Sequence, residues 1–234
     1  MPKLLFILST KQDVSSDYTT GFHAEEAAKP YLYFNDEGYD ITIATIGGHP
    51  AEYDPSSRED LDENNPEMLE NFESLAKDNL ENPANVSELS ADNFDGIFIP
   101  GGHGTMWDMP TSDELGALIS EFYAQDKLVA AVCHGPAALV NATNKKGEPI
   151  VNGKKVNCFT DKEEKHIEKE DVMPFLLETR LTEQGAKFEC SGLFESCAVR
   201  DGVLVTGQNP ASLSDLIHEM ENVLEDQEEA SKAA

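Results

Sequence analysis

Basic residues are scarce in this sequence. Only 17 Lys and Arg side chains stand against 45 Asp and Glu, which gives a formal net charge of -28. Phosphate binding requires cations clustered on one face of a domain, and the densest basic spots are two short pairs, Lys145-Lys146 and Lys154-Lys155, which we interpret as charged turns. The composition therefore argues against a nucleic-acid partner, and the acidic surface argues against binding to anionic membranes.

Cysteines and long apolar runs are also few. Cys133, Cys158, Cys190 and Cys197 show neither the paired spacing of a zinc site nor the density of a disulfide framework. Free thiols are typical of a reducing compartment. The apolar run at 4–8 is too short for a signal-peptide core, and no segment approaches the roughly 18 apolar residues of a membrane-spanning helix. We therefore expect a soluble intracellular protein, cytoplasmic and, as an alternative that the sequence leaves open, also nuclear.

What the sequence does contain is an alternation of two periodicities. Short continuous apolar runs, typical of parallel strands covered on both faces, lie at 4–8, 96–99 and 128–132, and the segment 41–46 predicts a further strand. Segments with helical spacing lie at 23–37, 114–125, 165–184 and 211–224. The pair Asp201-Gly202 between apolar runs predicts a hairpin. This order predicts an α/β fold, a flavodoxin-like sandwich in which helices cover both faces of a parallel sheet.

Residues 50–93 interrupt this alternation. They are rich in acidic residues, and Pro55, Pro66 and Pro83 break any long periodicity. We expect an acidic excursion outside the sheet, with one short helix around 68–76. A second acidic run predicts an acidic tail at about 225–234. We interpret residues 1–234 as a single domain, long enough for a sizeable core.

Cys133 carries the main chemical signal. Residues 131–135, Ala-Val-Cys-His-Gly, have the small-x-nucleophile-x-Gly pattern of a sharp strand-to-helix turn that exposes one side chain. A following helix would present its positive dipole end to the sulfur and favour the thiolate. We therefore predict Cys133 as a nucleophile, with a buried packing cysteine as the alternative. The other three cysteines are interpreted as packing residues.

A glycine pair follows the apolar run at 96–99. Gly101-Gly102 allows the backbone to turn tightly and to aim an N–H toward the turn at Cys133. The N–H groups of Gly102 and His134 would then form an oxyanion hole, a device that stabilises negative charge developing on a carbonyl oxygen.

Three segments, at 101–110, 130–136 and 206–212, resemble the ThiJ/PfpI superfamily, which shares its fold with class I glutamine amidotransferases. They read Gly-Gly-His-Gly-Thr-Met-Trp-Asp-Met-Pro, Ala-Ala-Val-Cys-His-Gly-Pro and Thr-Gly-Gln-Asn-Pro-Ala-Ser. The similarity covers nearly the whole chain and is strongest to the fungal heat-shock-chaperone and glyoxalase III branch.

The resemblance implies a catalytic set. The family's nucleophile maps to Cys133 and the adjoining histidine to His134. The carboxyl group that hydrogen-bonds the thiol maps to Glu26, and the third triad member, which orients the histidine, maps to Glu164.

Three neighbours of this set leave alternatives open. Glu25 and Glu163 adjoin the mapped acids, so a shift by one residue is an alternative assignment. His103, in the glycine-rich segment, is expected either to shape the pocket or to make a structural hydrogen bond. No metal is expected, because the remaining histidines form no ligand spacing: His23, His49, His166 and His218.

The resemblance implies a glutathione-independent glyoxalase of the D-lactate dehydratase type. It would convert methylglyoxal, a small 2-oxoaldehyde, to lactate through a hemithioacetal on Cys133, without a cofactor, and either Glu26 or His134 would be the base. A stress-response holdase chaperone that binds unfolded client proteins, with Cys133 as an oxidation sensor, is one alternative. A cysteine peptidase or amidase is another. A homodimer is expected by analogy with relatives.

Overall fold

The computed structural model describes residues 1–16 and 18–233. Within these residues the strands are β1 (Lys3–Leu8), β2 (Asp13–Ser15), β3 (Tyr18–Thr19), β4 (Asp40–Thr45), β5 (Ala84–Asn85), β6 (Gly96–Ile99), β7 (Leu128–Val132), β8 (Lys155–Val156), β9 (Lys187–Phe188), β10 (Ala198–Asp201) and β11 (Leu204–Gly207). The α-helices are α1 (Ala24–Asp36), α2 (Pro55–Asn64), α3 (Pro66–Leu75), α4 (Lys77–Glu81), α5 (Thr105–Asp108), α6 (Asp113–Ala124), α7 (Asp161–His166), α8 (Leu177–Glu183) and α9 (Leu213–Ala233).

The main sheet has seven strands in the order β10-β11-β7-β6-β1-β4-β5. All neighbouring pairs are parallel except the β10-β11 hairpin. The hairpin pairs Asp201 with Leu204, and Gly202 between them has a φ of 69°. The carboxyl ends of β1, β6, β7 and β11 therefore meet at one edge of the sheet, where α/β proteins place their ligand sites.

Side chains of the central strands alternate between two cores. Leu4, Phe6 and Leu8 pack on one face with residues of α1, α2, α3 and α9. Leu5 and Ile7 pack on the other face with residues of α5, α6 and α8. A strand directs successive side chains to opposite faces, so apolar residues at every position bury both. The predicted sandwich with helices on both faces is confirmed.

Residues 50–93 are more regular than their prolines indicate. Pro55 and Pro66 stand at the first positions of α2 and α3, where the missing N–H has no helical partner. The Asp54 side chain caps α2 by accepting from Ser56 N and Ser57 N. The prediction that this segment lies outside the sheet is wrong at its end, because β5 pairs with β4 at the sheet edge.

Two helix predictions near the C-terminus also need correction. The helix predicted over 165–184 is two helices, α7 and α8, because Glu168 has a φ of 56° and Pro174 lies between them. The helix predicted to end at 224 continues to Ala233, so the acidic run forms part of α9. Asp226 pairs with Arg200 of β10, which ties this part of the helix to the sheet. Across 1–16 and 18–233, no helix has both the length and the apolar character that crossing a membrane requires.

Candidate active site

A cavity of about 770 Å³ opens at the carboxyl edge of the sheet. Its walls include Gly102 after β6 and Cys133 and His134 after β7. The sequence predicted all three as site residues, and the structure brings them together. Thr206 and Gly207 end β11 at the same edge.

Cys133 sits in a sharp turn. Its φ is 59°, a left-handed conformation that is strained for a residue with a side chain, and the residue is only 4% exposed. A Cβ on Gly135 would lie 2.2 Å from the Ile99 carbonyl oxygen, so the turn needs glycine there. The helix predicted to follow is the 3₁₀ helix Gly135–Asn141.

A line of hydrogen bonds joins the predicted triad. Cys133 Sγ lies 3.3 Å from His134 Nδ1, and His134 Nε2 lies 2.7 Å from Glu164 Oε2. His103 Nε2 lies 3.0 Å from the other oxygen of the same carboxylate. Because His134 Nε2 donates to Glu164, Nδ1 is the ring nitrogen left to accept the thiol proton.

The ionisation of these groups follows from their burial. Burial acts to raise the pKa of Glu164, but hydrogen bonds and charge interactions with His103 and His134 outweigh it and bring this pKa to about 2. Burial, with repulsion from His103, lowers the pKa of His134 although Glu164 opposes the shift. The resting triad therefore holds a carboxylate and a neutral His134.

Glu26 lies beside Cys133, since a Cβ on Gly101 would lie 2.7 Å from Glu26 Oε2 and 2.9 Å from Cys133 Cβ. It is fully buried at the start of α1, and its Oε2 accepts a 2.7 Å hydrogen bond from Gly101 N. Burial raises its pKa to about 8, although hydrogen bonds from Gly101 and Cys133 act to lower it. A carboxyl group with this pKa carries a proton at neutral pH.

The expectation that a helix dipole makes Cys133 a ready thiolate is wrong. Burial and the neighbouring Glu26 raise the pKa of the thiol, and the hydrogen bond from the His134 backbone opposes this only in part. A protonated Glu26 removes the repulsive charge. Deprotonation of Cys133 therefore depends on His134 and Glu26 rather than on a helix terminus.

Gly102, one of the two predicted oxyanion-hole donors, occupies a position that requires glycine. Its φ is 97°, and a Cβ there would lie 2.3 Å from the Gly21 carbonyl oxygen, so both conformation and space require glycine. Gly101 uses its own N–H to bind Glu26. Gly102 and His134 line the same cavity, and their joint role in binding an oxyanion stays a prediction.

Aromatic rings pack against the triad histidine. The His103 and Phe159 rings lie 4.2 and 4.7 Å from the His134 ring, measured between centroids. His103 therefore both orients Glu164 and supports His134. The sequence did not predict Phe159 as a site residue, because a single aromatic residue after a short strand has no distinctive pattern.

Glu163, the alternative assignment for the triad acid, is a second buried acid. It is fully buried, and its carboxylate accepts hydrogen bonds from five donors. They are Thr160 N and Oγ1, Phe194 N, Gln208 Nε2 and Asn209 Nδ2. The Thr160-x-x-Glu163 pattern is a capping box, a signal that could have shown that Glu163 turns back to the helix start while Glu164 points to His134.

His23 lines the cavity although no pattern pointed to it. It precedes α1, and its backbone N–H donates to Gly101 O at 3.0 Å. Burial lowers the pKa of its ring to about 4; Asp54 opposes this shift, and His134 and His103 add to it. His23 is therefore a neutral imidazole at neutral pH.

Three ligand-type side chains come close together among residues 1–16 and 18–233. One ligand atom from each of His103, His134 and Glu164 lies within 4.8 Å of the others. Both oxygens of Glu164 already accept from these histidines. Hydrogen bonding accounts for this cluster, and the expectation of no metal stays a prediction.

Comparison with known proteins identifies the family. The DJ-1/PfpI family model matches residues 18–222, and the chain belongs to this family. It is 33% identical over 221 residues to "Glyoxalase 3" of Candida albicans, covering 91% of this chain and 94% of that protein. It is 32% identical over 219 residues to "Glutathione-independent glyoxalase HSP31" of Saccharomyces cerevisiae, covering 90% and 92%. The crystal structure of glyoxalase III from Candida albicans matches with a TM-score of 0.81 at 29% identity, covering 95% of this chain and 97% of that one.

Proposed function

We propose that this protein is a glutathione-independent glyoxalase that converts methylglyoxal to lactate. One observation carries the proposal: a buried thiol lies next to a neutral histidine, which a carboxylate holds, and next to a second carboxyl group with a raised pKa. The names of the two fungal relatives support the same activity.

The first step is addition of Cys133 to the aldehyde. His134 Nδ1 accepts the thiol proton, and the sulfur forms a bond to C1 as the C1–O double bond becomes single. The C1 oxygen takes up the proton and gives a hemithioacetal. The N–H groups of Gly102 and His134 would stabilise the negative charge on this oxygen before it is protonated.

The second step moves a proton from C1 to C2. A base removes the C1 proton, an enediolate forms, and reprotonation at C2 gives a thioester of 2-hydroxypropanoate. Glu26 and His134 are both candidates for the base that removes the C1 proton. The raised pKa of Glu26 makes its carboxylate a stronger base, at the cost of a smaller ionised fraction at neutral pH.

The last step is hydrolysis of the thioester. Water attacks the C1 carbonyl carbon with His134 as the base, the C1–S bond breaks, and the sulfur regains a proton. Lactate leaves and Cys133 returns to its starting state. The sulfur takes the part that a thiol co-substrate would otherwise play, so the scheme needs no glutathione.

The test is lactate formation by the purified, metal-stripped protein without glutathione. We expect lactate from the wild type and none from Cys133→Ala. Cys158 is buried as predicted, but the prediction that Cys190 is a packing residue is wrong, because Cys190 is exposed. Cys190 does not line the cavity, so Cys190→Ser is the matched control. A wild type that forms no lactate, or a Cys133→Ala variant that still does, would overturn the proposal.

A second candidate function is binding of unfolded client proteins. It is favoured by exposed apolar side chains: Leu193, Phe194 and Val172 are 46%, 43% and 40% exposed. The Phe194 ring also lies 6.2 Å from that of Phe159. Client binding needs exposed apolar area and no nucleophile. Cys133→Ala should therefore still suppress aggregation of a client protein as the wild type does. The double variant Leu193→Ser/Phe194→Ser should lose that suppression. The homodimer is likewise a proposal, tested by the mass of the protein in solution.

A further inference from the structure

The reaction scheme leaves one substrate oxygen without a protein partner. When the base takes the proton from C1, the electron pair of that C–H bond moves toward C2 and its negative charge falls on the C2 oxygen. Gly102 and His134 serve the C1 oxygen. A second donor is needed for the C2 oxygen, because an uncompensated oxyanion in a partly dehydrated cavity is costly.

His23 stands in the right place to supply that donor. Its backbone N–H binds Gly101 O, and the same loop continues into Gly102. A Cβ on Gly102 would lie 2.6 Å from His23 N, so the two backbones are in close contact. His23 is also the residue that immediately precedes α1, and Glu26 lies in the first turn of the same helix.

The ring of His23 has one nitrogen to offer. Nδ1 is buried and has no hydrogen-bond partner. An unpaired buried N–H is rarer in proteins than an unpaired acceptor, so the proton belongs on Nε2 and the lone pair on Nδ1. Because His23 lines the cavity, Nε2–H is its polar group available to a substrate.

The charge state of His23 also suits a hydrogen-bond donor. The groups that act on it are Asp54, His134 and His103, and burial outweighs the attraction of Asp54. A neutral imidazole is a weaker acid than an imidazolium, so its acidity is closer to that of an enediol. A neutral histidine can therefore stabilise an enediolate without handing over its proton.

We propose that His23 is a catalytic residue, whose Nε2–H donates a hydrogen bond to the C2 oxygen of the Cys133-bound substrate and stabilises the enediolate. This inference rests on the proposed glyoxalase function. The base holds the proton taken from C1 and returns it to C2. The hydroxyl proton of C1 passes to the C2 oxygen, C1 becomes the thioester carbonyl, and His23 keeps its own proton throughout.

The test compares substitutions that differ in where they place a donor. His23→Phe keeps an aromatic ring and has no donor, His23→Gln places an amide N–H near the position of Nε2, and His23→Asn places it near Nδ1. We expect the turnover number of His23→Phe and His23→Asn to fall by about 10²–10³-fold, and that of His23→Gln to stay within about tenfold of the wild type. His218→Phe, an exposed histidine on α9, is the matched control and should have wild-type turnover.

Two further readouts separate catalysis from a structural role. The rate of Cys133 alkylation by iodoacetamide should be unchanged in His23→Phe, since the proposed contact is to the substrate and not to the sulfur. Methylglyoxal deuterated at C1 should show an isotope effect in His23→Phe at least as large as in the wild type, because the variant slows the step that breaks the C1–H bond.

Several outcomes would overturn the inference. They are unchanged turnover in His23→Phe, equal losses in the Gln and Asn variants, and an isotope effect smaller than that of the wild type. If His23→Phe fails to fold, the Gln and Asn pair decides alone. A wild type without lactate formation overturns the proposed function together with this inference, whereas an active wild type with a fully active His23→Phe overturns the inference alone.

Discussion

Glu163→Gln should destabilise the fold, because five donors surround the Glu163 carboxylate. Oε2 accepts from Thr160 N at 2.8 Å and Thr160 Oγ1 at 2.9 Å. Oε1 accepts from Phe194 N, Gln208 Nε2 and Asn209 Nδ2 at 2.8, 2.9 and 2.8 Å. An amide has one oxygen and one NH2 group, so in either orientation its NH2 faces donors.

The magnitude follows from the better orientation. The Gln oxygen would keep three bonds to Phe194, Gln208 and Asn209, and the Thr160 hydroxyl could rotate to accept from the NH2 group. The Thr160 N–H would lose its partner, at a cost of about 1–3 kcal/mol, and three bonds would lose charge assistance worth about 1 kcal/mol each. Burying a neutral amide instead of a carboxylate offsets part of this, so the expected net loss is about 3 kcal/mol.

The assay is urea unfolding with a thermal melt as a second probe. A loss of about 3 kcal/mol in a chain of this size should lower the melting temperature by about 6–12 °C. Turnover should fall as well, because Glu164 and Glu163 share the first turn of α7. Glu183→Gln on the exposed side of α8 is the control and should change stability by less than about 1 kcal/mol. A Glu163→Gln variant as stable as this control would refute the reasoning.

Three further predictions concern titratable groups of the site. Glu26→Gln should lower turnover by about 10²–10⁴-fold in a lactate assay. Glu164→Gln should lower it by less, since the amide oxygen can still accept a hydrogen bond from His134. Unchanged turnover in Glu26→Gln would make His134 the base. The pKa of Glu26 is about 8 in the folded protein and near 4.5 in the unfolded chain, so the free energy of unfolding should fall as pH rises between these values. Urea unfolding of Glu26→Gln across this range should show a shallower fall. A fall as steep as that of the wild type would contradict a proton held on Glu26 in the folded protein. His23 has a pKa of about 4 in the folded protein against its ordinary 6.5, so between these values the unfolded chain binds a proton that the folded protein does not. The free energy of unfolding should therefore drop as pH falls from 6.5 to 4. His23→Gln should reduce that drop, and an unchanged drop would show that His23 is ionised in the folded protein.

The sheet was predictable from local sequence patterns because its central strands each contain a run of apolar residues. In β1, apolar residues at 4–8 report burial on both faces, and Ser9 marks the end of the strand. The prolines of 50–93 did not predict α2 and α3, because a proline at a helix start and one that breaks a helix are distinguished only by the residues around them. Asp54 before Pro55 and Asn65 before Pro66 are caps that identify starts.

The site was predictable where residues are neighbours in the chain. Cys133, His134 and Gly135 are consecutive, so one short pattern predicts their arrangement. Glu26 and Glu164 were predicted only through the family resemblance. His23 was missed because its role depends on contact with Gly101, 78 positions away in the printed sequence. The ionisation of Cys133 was also misjudged, because the burial that decides it is a property of the tertiary fold.

The measurement that tests the central claim most directly is detection of the covalent intermediate. The protein is mixed with methylglyoxal without glutathione, quenched in acid within the first turnovers, and mapped by peptide mass spectrometry. We expect one added methylglyoxal unit on the peptide that contains Cys133, formed and lost at the rate of lactate production, and none there in Cys133→Ala. Lactate production with no adduct on Cys133, or with equal adducts on Cys158, Cys190 and Cys197, would contradict a reaction centred on Cys133.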